Sequence, residues 1–134
     1  MKTFTLEWQS ATGSQRFDDV VSFVGEDASG SFGVLAGHAR MMASLQVGLA
    51  RFCTADGRWR HVALPGGIAR FRDGRLTVST RAFFIDDDVR RVGAALREQL
   101  AAEEERLRDL KDSLHRMEQA VFRRLWEMER GAPP

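Results

Sequence analysis

The sequence is short of the features that would make an enzyme or a membrane protein easy to recognise. It has one cysteine, Cys53, in 134 residues, so no internal disulfide exists and a reducing, cytosolic setting fits. Twenty basic residues face nineteen acidic ones, a formal net charge of +1. That balance removes any global electrostatic case for nucleic acid or an anionic membrane surface. No apolar run approaches the length of a membrane span. The opening Met-Lys-Thr-Phe-Thr-Leu-Glu-Trp alternates and lacks the continuous apolar stretch of a secretory signal. From Ala94 to Arg130 there is neither glycine nor proline.

What is present divides the chain in two. Ten of the twelve glycines lie before residue 90, and Phe122 is the one phenylalanine after Phe84, so the two parts differ in physical type. In the first part, Phe4, Leu6 and Trp8 alternate as in a half-buried strand. Gln15–Val24 and Leu45–Cys53 continue the strand pattern, as do Trp59–Leu64, Ile68–Phe71 and Leu76–Thr80. Turn signals separate them at 11–14, Ala55-Asp-Gly57, Pro65-Gly-Gly67 and Arg72-Asp-Gly74. Short strands at this spacing, with no helical period between them, predict an antiparallel β-sandwich over residues 1–85. Gly30-Ser-Phe-Gly-Val-Leu-Ala-Gly-His-Ala39 stands out within it. Its glycine spacing predicts a tight, semi-buried loop that turns through positive φ at several points.

The second part, residues 86–134, begins with three aspartates, which suit the free N–H groups and positive end of a helix start. Val89, Val92, Leu96, Leu100, Leu107, Leu110, Leu114, Met117, Val121, Leu125 and Met128 then form one stripe close to a heptad seam. Glu103-Glu-Glu105 interrupts it. The arm is therefore either an antiparallel helix hairpin or one extended helix, stopped by Gly131-Ala-Pro-Pro134. The fold class is α+β.

The candidate chemistry is thin. His38 and His61 with Asp56 or Asp73 match no metal-ligand spacing, and a structural histidine is preferred. Asp86–Asp88 read as a cap rather than a Mg²⁺ or Ca²⁺ site. Cys53, with His61 or His38 as base, would need a cationic neighbour that its strand does not supply; an inert buried thiol is preferred. Gly30-x-x-Gly33 lacks the Gly-Lys-Ser/Thr of a phosphate loop. Arg123, Arg124 and Arg130 make a small basic cluster beside Trp126, either a solvated helix face or an anchor for another protein. No catalytic residue, metal or cofactor emerges. The residues alone indicate a β-sandwich with a helical arm that binds other proteins. A free-standing adapter that dimerises through its arm, and a metal-dependent cupin-like enzyme, are the alternatives.

The glycine-histidine segment resembles the Gly-x-x-Gly-[Ile/Val]-x-x-Gly-His-Ala signature of the epsilon subunit of F-type ATP synthases, called delta in mitochondria. Ala63-Leu-Pro-Gly-Gly67-Ile68 and Leu76-Thr-Val-Ser-Thr80 are similar to the strand turn and following strand of that family, and the order of parts agrees. The resemblance implies a non-catalytic rotor subunit on the cytoplasmic face of the inner membrane, bound to the membrane only through its complex. It implies contact with gamma and the c-ring by Gly30, Ser31, Phe32, Gly33 and His38, with Met41 and Met42 as adaptable apolar contacts. It further implies an arm that reaches gamma or the alpha/beta head when extended and opposes ATP hydrolysis; Arg123, Arg124 and Trp126 are its expected contacts. Two departures matter. Ser31 stands where the family often has an acid, so shape and backbone hydrogen bonds are expected to carry that contact. Asp88-Val-Arg-Arg91 keeps only part of the family's ATP-binding motif, so nucleotide binding does not carry over.

Overall fold

The computed structural model describes residues 2–131. The chain forms β1 (Phe4–Ser10), β2 (Gly13–Asp27), β3 (Gly30–Leu35), β4 (Met41–Thr54), β5 (Trp59–Arg72), β6 (Arg75–Ser79), β7 (Phe84–Asp86) and α1 (Val89–Gly131). It divides into two compact units, residues 1–98 and residues 99–134, so the first turns of α1 belong to the first unit. The stop expected at the C-terminus lies, past Gly131, outside the described residues.

In the first unit three strands are long enough to serve two sheets each. β2 pairs with β1 through its first half (Gly13 to Val20) and with β3 through its second (Ser22 to Asp27). β5 pairs with β7 near its start and with β6 near its end, and β4 runs antiparallel to it along its length. One sheet therefore reads β3, late β2, late β4, early β5, β7. The other reads early β2, β1, β6, late β5, early β4. The β1–β6 pairing is parallel and closes the circuit. This is the β-sandwich that the strand spacing predicts.

The core lies between the two sheets and is built on aromatics. Trp8 is fully buried, with its ring centroid 6.0 Å from that of Phe23, 6.1 Å from Phe52 and 6.1 Å from Phe83. Phe17 packs tilted against Phe52 at 4.8 Å, and Phe4 meets Phe71 edge-on at 5.7 Å. Such pairs add about 0.5–1.5 kcal/mol each beyond the burial of their area. Leu6, Val20, Val34, Val62, Leu64, Leu76 and Val78 fill the remaining space.

Pro65-Gly66-Gly67 is not a turn between two strands. It is a bend inside β5, which runs unbroken from Trp59 to Arg72. Val62, Ala63, Leu64 and Pro65 are all buried in succession, because the strand is covered on both faces where it passes between the sheets. Gly66 has φ +100°, and Thr80 Oγ1 donates to its carbonyl at 2.6 Å. A Cβ on Gly67 would lie 2.5 Å from the Ser79 carbonyl oxygen and 3.1 Å from Thr80 Cβ. Both glycines are fixed by contact with the β6 end of the sandwich.

The glycine-rich stretch is also more regular than expected. Gly30 to Leu35 is a strand paired with β2, and only 36–40 is loop. Gly30 (φ +126°) and Gly37 (φ +86°) do turn through positive φ. Gly33 does not, because it sits in register with Val24.

The three aspartates before α1 have separate structural tasks. Asp88 is the cap: its Oδ1 accepts the Arg90 N–H at 2.9 Å, and its carbonyl accepts from Val92 at 3.4 Å. Asp86 Oδ1 accepts the Asp88 N–H at 2.8 Å. Asp87 forms a two-point ion pair with Arg58, whose guanidinium holds the Asp87 carboxyl below its ordinary range. Within the first unit Val92 and Leu96 are buried. From there α1 is one continuous helix, the extended form of the two alternatives and not the hairpin. Glutamate is a good helix former, and Glu103-Glu-Glu105 interrupts the apolar stripe without breaking the backbone. Gln99 to Glu103 (3.3 Å) and Arg108 to Glu104 (3.8 Å) bridge that segment at i,i+4 spacing.

Gly67→Ala should lower unfolding stability by about 2 kcal/mol or more, since neither the Ser79 backbone nor Thr80 can yield freely. Gly13→Ala, which meets nothing within 4 Å, should stay within about 0.5 kcal/mol of the parent in the same urea titration. Asp88→Ala should cost about 1 kcal/mol by the same measurement, through loss of the cap.

Candidate protein-docking surface

The β2–β3 hairpin is set by its turn. Asp27 Oδ1 accepts from the Ser29 N–H at 2.8 Å and from Ser29 Oγ at 2.6 Å, which holds the Asp27 carboxyl below its ordinary range. Gly30 then starts β3 with a φ open to glycine. β3 ends its sheet, and pairs among the described residues only with β2. The first half of β4 likewise pairs only with β5, because β2 reaches β4 no earlier than Arg51. β3 and early β4 are thus strand edges of the sandwich, joined by the 36–40 loop; β7 and early β2 end the two sheets on their other sides. Edges of this kind offer backbone N–H and C=O groups to another chain.

The expected contact residues do not form one patch. Ser31 and Gly33 are exposed and register with Glu26 and Val24 on the outer face of the first sheet. There Ser31, Leu49, Arg51, His61 and Val89 share a cleft of about 320 Å³. Met42, 68% exposed, lies across from Arg70 on the second sheet, with exposed Ile68 diagonal to it. His38 is exposed on the loop; its Nδ1 lies 2.7 Å from the Ala39 carbonyl, and its ring meets Phe71 at 5.8 Å. Phe32 and Met41 are half-buried and pack on the core, Phe32 at 6.2 Å from Phe23. Gly30 is half-buried at the strand start.

Several exposed apolar residues on these faces were not singled out from sequence: Leu35 (62%), Val47, Leu49, Trp59 and Ile68. Arg51 lies over the Trp59 ring at 5.4 Å. The signal for them was present as apolar residues at both parities of β4 and β5. Sequence alone does not tell which parity faces out once a strand changes sheets.

In the second unit, Arg123, Arg124 and Trp126 are exposed, as is every residue from Glu104 to Arg130. Arg130 lies over the Trp126 ring at 4.3 Å. Phe122 precedes Trp126 by one turn, so the two share a helix face.

Elsewhere the ionisable groups are held by structural contacts. Asp56 accepts from Thr54 Oγ1 at 2.5 Å and from the Arg58 N–H at 3.0 Å, which lowers its pKa and shapes the β4–β5 turn. Cys53 is buried, with Sγ directed to the Thr54 carbonyl at 3.4 Å. Among the described residues no cluster of His, Cys, Asp or Glu could hold a metal ion, and no helix is long and apolar enough to cross a membrane.

The sequence profile of the ATP synthase delta/epsilon chain β-sandwich domain matches residues 3–85. The chain is 32% identical over 117 residues to ATP synthase epsilon chain 2 of Cereibacter sphaeroides, covering 87% of this chain and 80% of that one. It is 36% identical to the ATP synthase epsilon chain of Symbiobacterium thermophilum, covering 77% and 73%. Among solved structures it is similar to a chain of the Euglena gracilis mitochondrial ATP synthase (TM-score 0.57, 23% identity, 72% of this chain and 62% of that one). A chain from the central stalk and c-ring structure of the Tetrahymena thermophila enzyme has the same fold (TM-score 0.53, 11% identity, 62% and 66%). The chain belongs to the epsilon-subunit family of F-type ATP synthases, whose members are non-catalytic parts of the rotary complex.

Proposed function

We propose that this epsilon subunit is a central-stalk coupling piece. Its sandwich docks on gamma and on the polar loops of the c-ring, so that ion translocation turns the stalk and drives ATP synthesis. The division of labour falls near residue 86, with the sandwich as rotor contact and the remainder as arm. The observation that carries the reading is the pair of open strand edges, β3 and early β4, flanked by exposed Leu35, Met42 and Ile68. In this reading the β3 backbone beside Gly30, Ser31 and Gly33 supplies hydrogen bonds to one partner. Met42 and Ile68 supply an apolar contact to the other, and Phe32, Met41 and His38 hold the loop between them. Ser31 brings no charge, so shape and backbone pairing carry that contact. The subunit sits on the cytoplasmic face of the inner membrane, bound through the complex.

The arm opposes ATP hydrolysis when it engages the head, through Arg123, Arg124 and Trp126. An uninterrupted helix with its apolar stripe exposed suits an element that engages a second protein along its length. The restraint is a population shift between engaged and released arm positions.

Met42→Glu combined with Ile68→Glu should leave the sandwich folded and sharply lower recovery of the partner subunits, gamma or c-ring, on affinity purification; full recovery of both would refute that docking face. Deleting residues 99–134, which keeps buried Val92 and Leu96, should raise ATP hydrolysis by the assembled enzyme without lowering its yield. Unchanged hydrolysis would show that the arm is no brake.

A further inference from the structure

The apolar stripe of the second unit also needs a cover in the chain before assembly. Leu107, Leu114, Val121 and Met128 recur every seven residues, with Leu110 and Met117 between them, and all six are 56–66% exposed. A stripe of this period is the seam of a coiled coil. The charges beside the seam specify what covers it. Lys111 and Glu118 flank it on one side and Arg106 and Glu127 on the other. Among the described residues, neither Lys111 nor Glu118 has an ion-pair partner.

We propose that the free chain forms an antiparallel homodimer through this seam, with Leu114 of one copy facing Met117 of the second. In that register Leu110 faces Val121, and Leu107 lies on the aliphatic stem of Arg124. Lys111 then meets Glu118 of the second copy, and Arg106 meets Glu127, each pair occurring twice by symmetry. The other arrangements fail on the same charges. A parallel pair sets Arg106 against Lys111 of the second copy, twice. Sliding the antiparallel pair by one heptad in one direction sets Lys111 against Lys111 and Glu104 against Glu118. Sliding it in the other direction sets Glu118 against Glu118 and puts Arg124 opposite Leu114 near the seam centre. Of the four arrangements, this one alone both faces the four central apolar positions on one another and pairs the flanking charges; Met128 then lies opposite Glu103 at the end of the seam. Phe122 and Trp126 lie off the seam and stay free in the dimer. The inference concerns the unassembled chain and does not rest on the rotor role. A chain held this way keeps its apolar stripe out of water until another helix displaces the second copy.

Sedimentation equilibrium of the full chain over about 5–200 µM tests the proposal, at a span suited to a micromolar dimer. The parent chain should dimerise, and more weakly as salt is raised. Lys111→Glu alone, and Glu118→Lys alone, should each weaken the dimer about tenfold, because each replaces two attractive pairs by two repulsive ones. Mixed in equal amounts, the two variants should form a heterodimer as tight as the parent, since every Glu then meets a Lys. Circular dichroism of each variant checks that the helix is intact. A parent chain that stays monomeric over the whole range overturns the proposal and assigns the stripe to a different protein. A mixture no tighter than the separate variants overturns the antiparallel register.

Discussion

The sandwich depends on a strand changing sheets without losing its hydrogen bonds. β5 does this at Gly66-Gly67, where the backbone closes to within van der Waals contact of the β6 end and Thr80 bonds back to the Gly66 carbonyl. Because β5 turns there, its first half can pair with β7 and its second with β6, and β4 follows it through the corner. The two sheets then face each other across Trp8, whose contacts with Phe23, Phe52 and Phe83 join residues from β1, β2, β4 and the segment before β7. Among the described residues the indole N–H of Trp8 has no hydrogen-bond partner. That cost is accepted where the ring itself is the centre of the core.

The same corner decides where the docking surface can be. β2 leaves one side of early β4 unpaired because, running antiparallel, its pairing with β4 stops at Val24–Arg51 and it ends at Asp27, and β3 ends its own sheet. β3 and early β4 are thereby left as edges of different sheets, joined by one short loop. Exposed edges invite pairing with other chains, and a monomeric protein usually blunts them. Here exposed Leu35, Met42 and Ile68 lie beside them, with Arg40 and Arg70 as the neighbouring charges. The helical unit follows the same logic: its stripe is apolar where an isolated soluble helix would be polar, and the charges that flank it are left to choose its partner.

Much of this was legible in the sequence, and the failures share a cause. The inward set of β1 (Phe4, Leu6, Trp8) and the hairpins at Gly57 and Asp73-Gly74 rest on local alternation and local turn chemistry, and they stand as read. Asp88 as a cap was equally local. Pro65-Gly-Gly67 looks like a turn because the residues that make it a mid-strand bend, Ser79 and Thr80, are a dozen positions away. Gly33 looked like loop because nothing local shows that Val24 pairs with it. The expected sandwich contacts lie in one stretch of sequence, residues 30–42. The fold sends Ser31 and Met42 to the outer faces of different sheets and turns Phe32 into the core, because sidedness depends on which strands cross over. Leu49, Trp59 and Ile68 were missed for the same reason. The sequence leaves the arm open between hairpin and single helix; the single helix agrees with a local fact, the absence of glycine and proline between Ala94 and Arg130.

The central claim is that the open edges of β3 and early β4 are what this epsilon subunit offers to the rest of the machine. Amide hydrogen exchange, followed on the full chain alone and bound to a gamma and c-ring subcomplex, tests it most directly. The account predicts new protection confined within the sandwich to Gly30–Leu35 and the first half of β4, with β1 and β6 unchanged. Binding with no added protection on either edge, or with protection on β1 and β6 instead, would contradict it.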